Sequence, residues 1–231
     1  MITPGIPVAD IGCDHAYLPI YLVRENISPY VIGCDVNAGP IITAKENVNY
    51  AGLCDKIDLR QGDGLSVLEE GEAKSIVLAG MGGRLMIRIL MEGEDILENV
   101  SEVILEPQSD VSALRHFLEE SGFRIISENM VREDGKYYPI MKAIHGDMSL
   151  GEEVYYRYGK VLLREEHPIL HEFLIREKEY LKNLLDELSQ NSEAPNALKR
   201  AEEVKRDIII NGEALGLLNT PGLFEENREI F

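Results

Sequence analysis

Short apolar, β-branched runs alternate with amphipathic stretches from the start of the chain to about residue 145. No other feature constrains the fold as much, because repeated strand-helix units wind into a parallel sheet with helices on its faces. Strands are expected near Val8 to Ile11, Val31 to Asp35, Ile57 to Arg60, Ile76 to Ala79, Val103 to Glu106, Phe123 to Val131 and Tyr137 to Ile144, with helices between the first six. The last two runs are joined by "REDGK", Arg132 to Lys136. Its Asp134-Gly135 pair is a hairpin signal, so the seventh strand should run antiparallel to the sixth.

From Glu152 onward the period changes. "HPILHEFLIREKEYLKNLLDELSQ" places Leu170, Leu174, Leu181, Leu184 and Leu188 on one helical face. After the break "NSEAPN", Ala201, Val204, Ile208 and Leu215 repeat the pattern. Spacings of three and four over both arms predict an antiparallel, coiled-coil-like helical hairpin, with a helical cap on the sheet as the alternative. Gly212, Gly216 and Pro221 are expected to end the second helix. An α/β domain over 1–150 and a helical hairpin over 151–231 follow.

Composition bounds the setting. A chain of 231 residues, 45% hydrophobic, can bury one sizeable core and carry a smaller appendage. No apolar run approaches the roughly 18 residues that span a bilayer, and the N-terminus lacks a signal peptide's basic-then-apolar layout, so a cytoplasmic protein away from membranes is expected. Cys13, Cys34 and Cys54 lack metal-ligand spacing and read as reduced thiols. His167 and His171 are spaced like ligands on one helix face, but Pro168 marks a helix start and no third ligand is evident, so no metal is expected. With 41 acidic against 23 basic residues, the formal charge is −18. Any polyanionic partner must use a local basic patch.

In open α/β sheets ligands bind beyond the carboxyl ends of the strands, and the first three strands run into "DIGCDH", "GCDV" and "QGDGL". Asp35 stands 23 residues after Gly12, close to the spacing at which an acid grips ribose hydroxyls. Asp63 is placed to accept from an adenine amine. Asp14 takes the place of a glycine in the first turn, where it would repel a pyrophosphate. S-adenosyl-L-methionine has no phosphate and carries a sulfonium and an ammonium, so acids there attract it. The plainer reading makes Asp10, Asp14 and Asp35 turn and cap residues.

Five helix-separated strands closed by a hairpin resemble the seven-stranded sheet of the class I S-adenosylmethionine-dependent methyltransferases. Taken together, "DIGCDHAYLPIYL", "GCDVNAGP", "QGDGL", "AGMGG" and "ILEPQ" resemble the bacterial tRNA methyltransferases that modify N1 of adenine 22, the TrmK family. The match runs over most of Val8 to Gly146, and that family also has a C-terminal helical hairpin. "DHAYLP" and "AGMGG" in this order are specific, whereas the acids are shared with most class I methyltransferases.

The resemblance implies S-adenosylmethionine as cofactor, S-adenosylhomocysteine as product, tRNA as partner and an in-line attack by adenine N1. A ring nitrogen has an in-plane lone pair, which suits the absence of the Asn/Asp-Pro-Pro-aromatic turn that often grips exocyclic amines. The helix after "AGMGG" should begin near Leu85, and Gly80, Gly82 and Gly83 should let a flat base approach the backbone. Candidate catalytic residues are Asp14, facing the cofactor or the cationic product, His15, and Tyr17 or Met81 as stacking partners. The cofactor would be held by Asp10, Gly12, Asp14, His15, Asp35 and Val36, then Asp63, Gly64, Gly80, Met81 and Gly82. Gln108, Arg157, Lys160 and Lys205 fall to the tRNA, with Arg164, Lys199, Arg200 and Arg206 widening the basic surface. A monomer is expected.

One departure concerns the family's usual helical segment with a basic residue ahead of the first strand. Only a few residues precede Val8 here, so either the start is short or another element covers that side. Two rival readings stay open: a methyltransferase of another RNA or a small molecule with the hairpin as lid, and a non-catalytic adenosylmethionine-binding protein whose hairpin docks a protein partner.

Overall fold

A computed structural model describes residues 1–190 and 195–220. Seven strands form one sheet in the order β3-β2-β1-β4-β5-β7-β6. The strands β1 (Val8–Ile11), β2 (Val31–Asp35), β3 (Ile57–Gln61), β4 (Ser75–Met81) and β5 (Glu102–Pro107) are mutually parallel. Except for the edge strand β3, which carries Asp58, Arg60 and Gln61, they are largely apolar on both faces because helices cover both sides. Within β4 the side chains alternate: Ile76 and Leu78 join one buried cluster with Met86, Leu90, Leu105 and Leu114, while Val77 joins the other with Val8, Leu22, Val31 and Val48.

The chain leaves β1 outward through β2 and β3, then returns to β4 on β1's other side. Strand order therefore reverses between β1 and β4, the place where an open α/β sheet leaves a crevice. The connecting helices are α1 (Tyr17–Arg24), α2 (Ala38–Ala51), α3 (Gly83–Glu92), α4 (Glu94–Leu97) and α5 (Val111–Glu120). The link from β3 to β4 differs from expectation, since it holds a single 3-10 turn, Gly64–Val67. Gly64 and Gly71 both take left-handed backbone there (φ 58° and 78°), which an α-helix cannot continue through.

β6 (Phe123–Glu133) and β7 (Lys136–His145) are joined by Asp134 and Gly135, both left-handed as a two-residue hairpin turn requires. β7 then pairs antiparallel with β5, Val103 opposite Ala143. Arg115 of α5 bonds Glu128 of β6 at 2.8 Å, both side chains buried.

The chain divides into two compact units, Met1–Glu128 with Tyr138–Ser149, and Asn129–Tyr137 with Leu150–Phe231. In the second unit, α6 (Glu153–Tyr158) and α7 (Lys160–Arg164) precede the long helices α8 (Pro168–Gln190) and α9 (Pro195–Leu218). Asn211, late in α9, donates to the Leu174 carbonyl early in α8, so the two arms run antiparallel. Leu170, Leu174 and Leu181 are buried along the predicted stripe, with Leu184 and Leu188 half-buried, and Val204 and Leu215 are buried on the other arm. Gly212 and Gly216 do not end α9, which runs through both. Burial of Ala214, Leu215 and Leu218 on its inner face outweighs a cost of about 1 kcal/mol per helical glycine. Pro221 and most of "NSEAPN" lie outside the described residues. Among the described residues no helix is long and apolar enough to cross a membrane.

Candidate active site

The carboxyl ends of five parallel strands bring the first unit's predicted residues together. β1 runs into Gly12, whose N–H, like that of Cys13, donates to the Cys34 carbonyl at 2.8 Å. Gly12 is left-handed (φ 82°), which disfavours any other residue, and a Cβ on it would sit 3.0 Å from the Met81 methyl and crowd it. Asp14 and Ala16 are left-handed as well, although neither is glycine. Such backbone costs on the order of 1–3 kcal/mol per residue and persists where the surroundings enforce it.

Neither Asp14 nor His15 caps α1, whose N-cap is Ala16 with no side-chain bond, so Asp14 is a turn residue but not a cap. The Asp14 carboxylate is exposed and lies 3.6 Å from His15 Nδ1. That nitrogen is buried without a hydrogen-bond partner, while the His15 carbonyl accepts from Asn47 at 3.0 Å and the ring meets Tyr17 edge-on at 5.9 Å. Tyr17 itself is exposed. Asp10 is buried in β1, and loss of hydration pushes its carboxyl up to about 7. Burial likewise pushes the Cys13 and Cys34 thiols up to about 12 and about 11, which disfavours thiolate chemistry.

At the end of β2, Asp35 accepts the Asn37 N–H at 2.8 Å through Oδ1, and its carbonyl accepts from Gly62. Val36 beside it is an exposed apolar side chain. Beyond β3, Asp63 is held by a forked pair with Arg88 of α3, both bonds 3.1 Å, and Arg88 also reaches Glu92. Sequence reasoning missed Arg88, whose only local signal is the Glu92 four residues on. A Cβ on Gly64 would touch Ile89.

The "AGMGG" turn carries a correction. Gly80 is left-handed (φ 73°) at a bulge in the β4–β5 pairing, and its N–H donates to Glu106 Oε2 at 2.7 Å. A Cβ on Gly83 would lie 2.7 Å from the Ser109 carbonyl and 2.8 Å from that of Asp110, and one on Gly82 would lie 3.0 Å from the Ser109 hydroxyl. Gly82 and Gly83 thus admit the protein's own 108–110 loop rather than a base, and α3 starts at Gly83 instead of Leu85. Gly80 remains open, with Gln108 Nε2 3.9 Å from where its Cβ would be. Glu106, within the quoted "ILEPQ", is a second residue the sequence reading passed over. Its Oε1 is buried without a hydrogen-bond partner, and burial holds its carboxyl above the usual range.

Arg157, Lys160 and Lys205 belong to the second unit. Arg157, Lys160 and Arg164 lie on α6 and α7, not on the hairpin arms. Arg157 bonds Glu177 and Asp207 and lies over the Tyr158 ring, an internal tie rather than a displayed cation. Lys160 sits over Tyr155 at 5.7 Å, and Lys205 pairs with Glu202 at 2.7 Å. His167 bonds Asn129, and among the described residues no group of three or more His, Cys, Asp or Glu could hold a metal.

Arg84 and Arg88 of α3 are each paired with an acid, Asp110 and Asp63. A glycine turn, a ribose-spaced acid and several further carboxylates suit an adenosine cofactor with a cationic tail. The sheet order with its antiparallel β7 and this acid-lined crevice define a Rossmann-like class I methyltransferase. Residues 8–213 match the family model described as "tRNA (adenine(22)-N(1))-methyltransferase". The Bacillus subtilis (strain 168) tRNA (adenine(22)-N(1))-methyltransferase is 33% identical over 212 residues, 88% of this chain and 87% of that protein. A Streptococcus pneumoniae protein solved in complex with S-adenosyl-L-methionine is 35% identical with a TM-score of 0.83, covering 93% of this chain and 94% of that one. M. capricolum TrmK, solved with S-adenosyl-homocysteine, is 25% identical with a TM-score of 0.80, covering 94% of each chain. The chain belongs to the TrmK family of S-adenosylmethionine-dependent tRNA (adenine-N1) methyltransferases.

Proposed function

We propose that this chain methylates N1 of adenine 22 in tRNA. The carrying observation is the reversal of strand order between β1 and β4, with Asp14, Asp35 and Asp63 at or just beyond the carboxyl ends of β1, β2 and β3 and Tyr17 exposed at the start of α1. Asp35 would hold the ribose through the carboxylate oxygen that Asn37 leaves free, with Val36 against the adenine ring and Asp63 near its amine. Gly12 and Gly80 would let the cofactor lie against backbone, the exposed Asp14 would favour its positive end, and His15 would hydrogen-bond its carboxylate or the substrate, with Asp10 buried beneath the turn. Bound there, S-adenosylmethionine supplies an electrophilic methyl group.

The chain's own task is then alignment, which can contribute about 7 to 11 kcal/mol when reacting atoms are held in near-attack geometry. Tyr17 and Met81 are suited to stack on the exposed base, and Gln108 to meet its edge. In the second unit, exposed Lys199, Arg200, Lys205 and Arg206 of α9, with Lys160, would contact tRNA phosphates. A cytoplasmic monomer fits this reading.

Incubation with radiolabelled cofactor and unmodified bacterial tRNA tests it, followed by reverse transcription, which stalls at N1-methyladenosine. A new stop at position 22 that disappears when that adenine is replaced is the expected result. Transfer that survives the replacement would refute the position, and tight cofactor binding without transfer would favour a binding module.

A further inference from the structure

The Asn/Asp-Pro-Pro-aromatic turn that grips a target amine is absent after β4, yet the structure places another hydrogen-bond acceptor beside that turn. Glu106 ends its side chain there from the neighbouring strand β5, opposite Ala79 in the sheet register. One oxygen is fixed: Oε2 accepts the Gly80 N–H at 2.7 Å, at the bulge that turns that N–H toward β5's side chain. The other oxygen, Oε1, is buried with no partner among the described residues. An unpaired buried acceptor is destabilising, and such groups call for an explanation in function or bound solvent. Gln108, two residues along β5's path, has its amide near the open face of Gly80, so both side chains flank the one glycine of the turn that is not filled by the 108–110 loop.

We propose that Glu106 is the acceptor that reads the 6-amino group of the target adenine, an inference that rests on the methyltransferase reading above. The chemistry is specific to that amine. As N1 gains the methyl group, positive charge spreads onto the 6-amino nitrogen and its N–H becomes a stronger donor. A bond to a fixed carboxyl group therefore strengthens along the reaction, which raises the rate more than it tightens ground-state binding. A purine with a 6-oxo group would present a second acceptor to Oε1 and be repelled. The burial that holds the Glu106 carboxyl above its usual range reflects the same dry surroundings, where such a bond is worth most.

The test is a cycle of single-turnover methyl transfer with two ligated tRNAs, one carrying adenosine at position 22 and one carrying purine riboside, which lacks only the amine. Wild type, Glu106→Gln and Glu106→Ala are compared on both, with cofactor affinity measured by calorimetry. Purine N1 is the weaker nucleophile in every case, so that difference cancels in the ratio. Glu106→Ala should lose tenfold or more on adenosine tRNA, lose far less on purine tRNA, and keep wild-type cofactor affinity. Glu106→Gln should retain part of the rate, since its amide oxygen still accepts. Equal fold-losses on both tRNAs, an unchanged rate, or a collapse of cofactor affinity in both variants would overturn the assignment. Should wild type bind cofactor yet fail on adenosine tRNA, the methyltransferase reading fails and this inference with it.

Discussion

Asp10 is a carboxyl group in a sheet interior, and its pKa near 7 makes the native state sensitive to pH. An acid raised by burial keeps its proton in the folded chain at pH values where the unfolded chain has already lost it. Its contribution is thus neutral below about pH 4 and increasingly unfavourable up to about pH 7, where the folded form also ionises. Asp10→Asn should therefore raise the melting temperature more at pH 7.5 than at pH 4.5; equal shifts at both would contradict a buried, protonated acid. For Asp35, loss of a charge-assisted bond to ribose is worth about 1.5–3 kcal/mol, so Asp35→Ala should weaken S-adenosylmethionine binding by roughly 10- to 150-fold in calorimetry. Unchanged affinity would remove the ribose role. Asp10, Asp14, Asp35 and Asp63 could be picked out in the sequence because Asp10 stands within β1, Asp35 ends β2, and Asp14 and Asp63 follow β1 and β3 within three residues. Glu106 and Arg88 could not, because their meaning lies in partners 26 and 25 residues away, Gly80 and Asp63, which only the sheet order and helix docking bring close. Placing "ILEPQ" on the strand beside "AGMGG" is the step that would have exposed Glu106.

At the level of elements, α5 and β6 share a buried Arg115–Glu128 pair that no local pattern announces. Glu128→Ala leaves a guanidinium in a dry interior, so it should cost about 3–5 kcal/mol by denaturant unfolding. A loss below 1 kcal/mol would mean water reaches the site. α9 offers the opposite sign: Gly212 and Gly216 are exposed in a helix, and an added Cβ meets nothing within 4 Å at either. Gly212→Ala should stabilise by about 0.5–1 kcal/mol, and destabilisation would show that the glycine is needed for something other than helix geometry. These glycines explain one misreading, since local breaker signals lost to packing of Ala214, Leu215 and Leu218. The reverse happened between β3 and β4, where glycines did hold the backbone to one 3-10 turn. The strand pattern itself was legible because continuous apolar, β-branched runs are dictated by burial on both faces of the sheet. The hairpin was legible because Asp-Gly accepts left-handed backbone at both positions.

At the scale of the whole molecule, a chain of net charge −18 must hold a polyanion, so the distribution of its cations matters more than their number. Sequence alone left Arg157, Lys160 and Arg164 looking like one basic face with α9, because it could not tell a cation tied to buried acids from a displayed one. Arg157 is such a tie. On α9, Arg200 and Lys205 pair with Glu203 and Glu202 three residues away, whereas Lys199 and Arg206, seven residues apart, share a helix face. Exposed pairs of the first kind are worth at most about 1 kcal/mol, so phosphate can displace them, and Lys199 and Arg206 feel the longer-range field of Glu203, with that of Glu202 added for Arg206. Each phosphate neutralised by a lysine or arginine releases condensed counterions and adds roughly one to the slope of log affinity against log salt. Lys199→Ala combined with Arg206→Ala should therefore weaken tRNA binding at low salt, lower that slope by about 2 in anisotropy titrations, and leave S-adenosylmethionine affinity at the wild-type value. Parallel slopes for wild type and variant would mean that α9 does not carry the phosphate contacts. The tRNA phosphates would then have to be met by cations outside α9, such as Lys160 and Arg164 of α7.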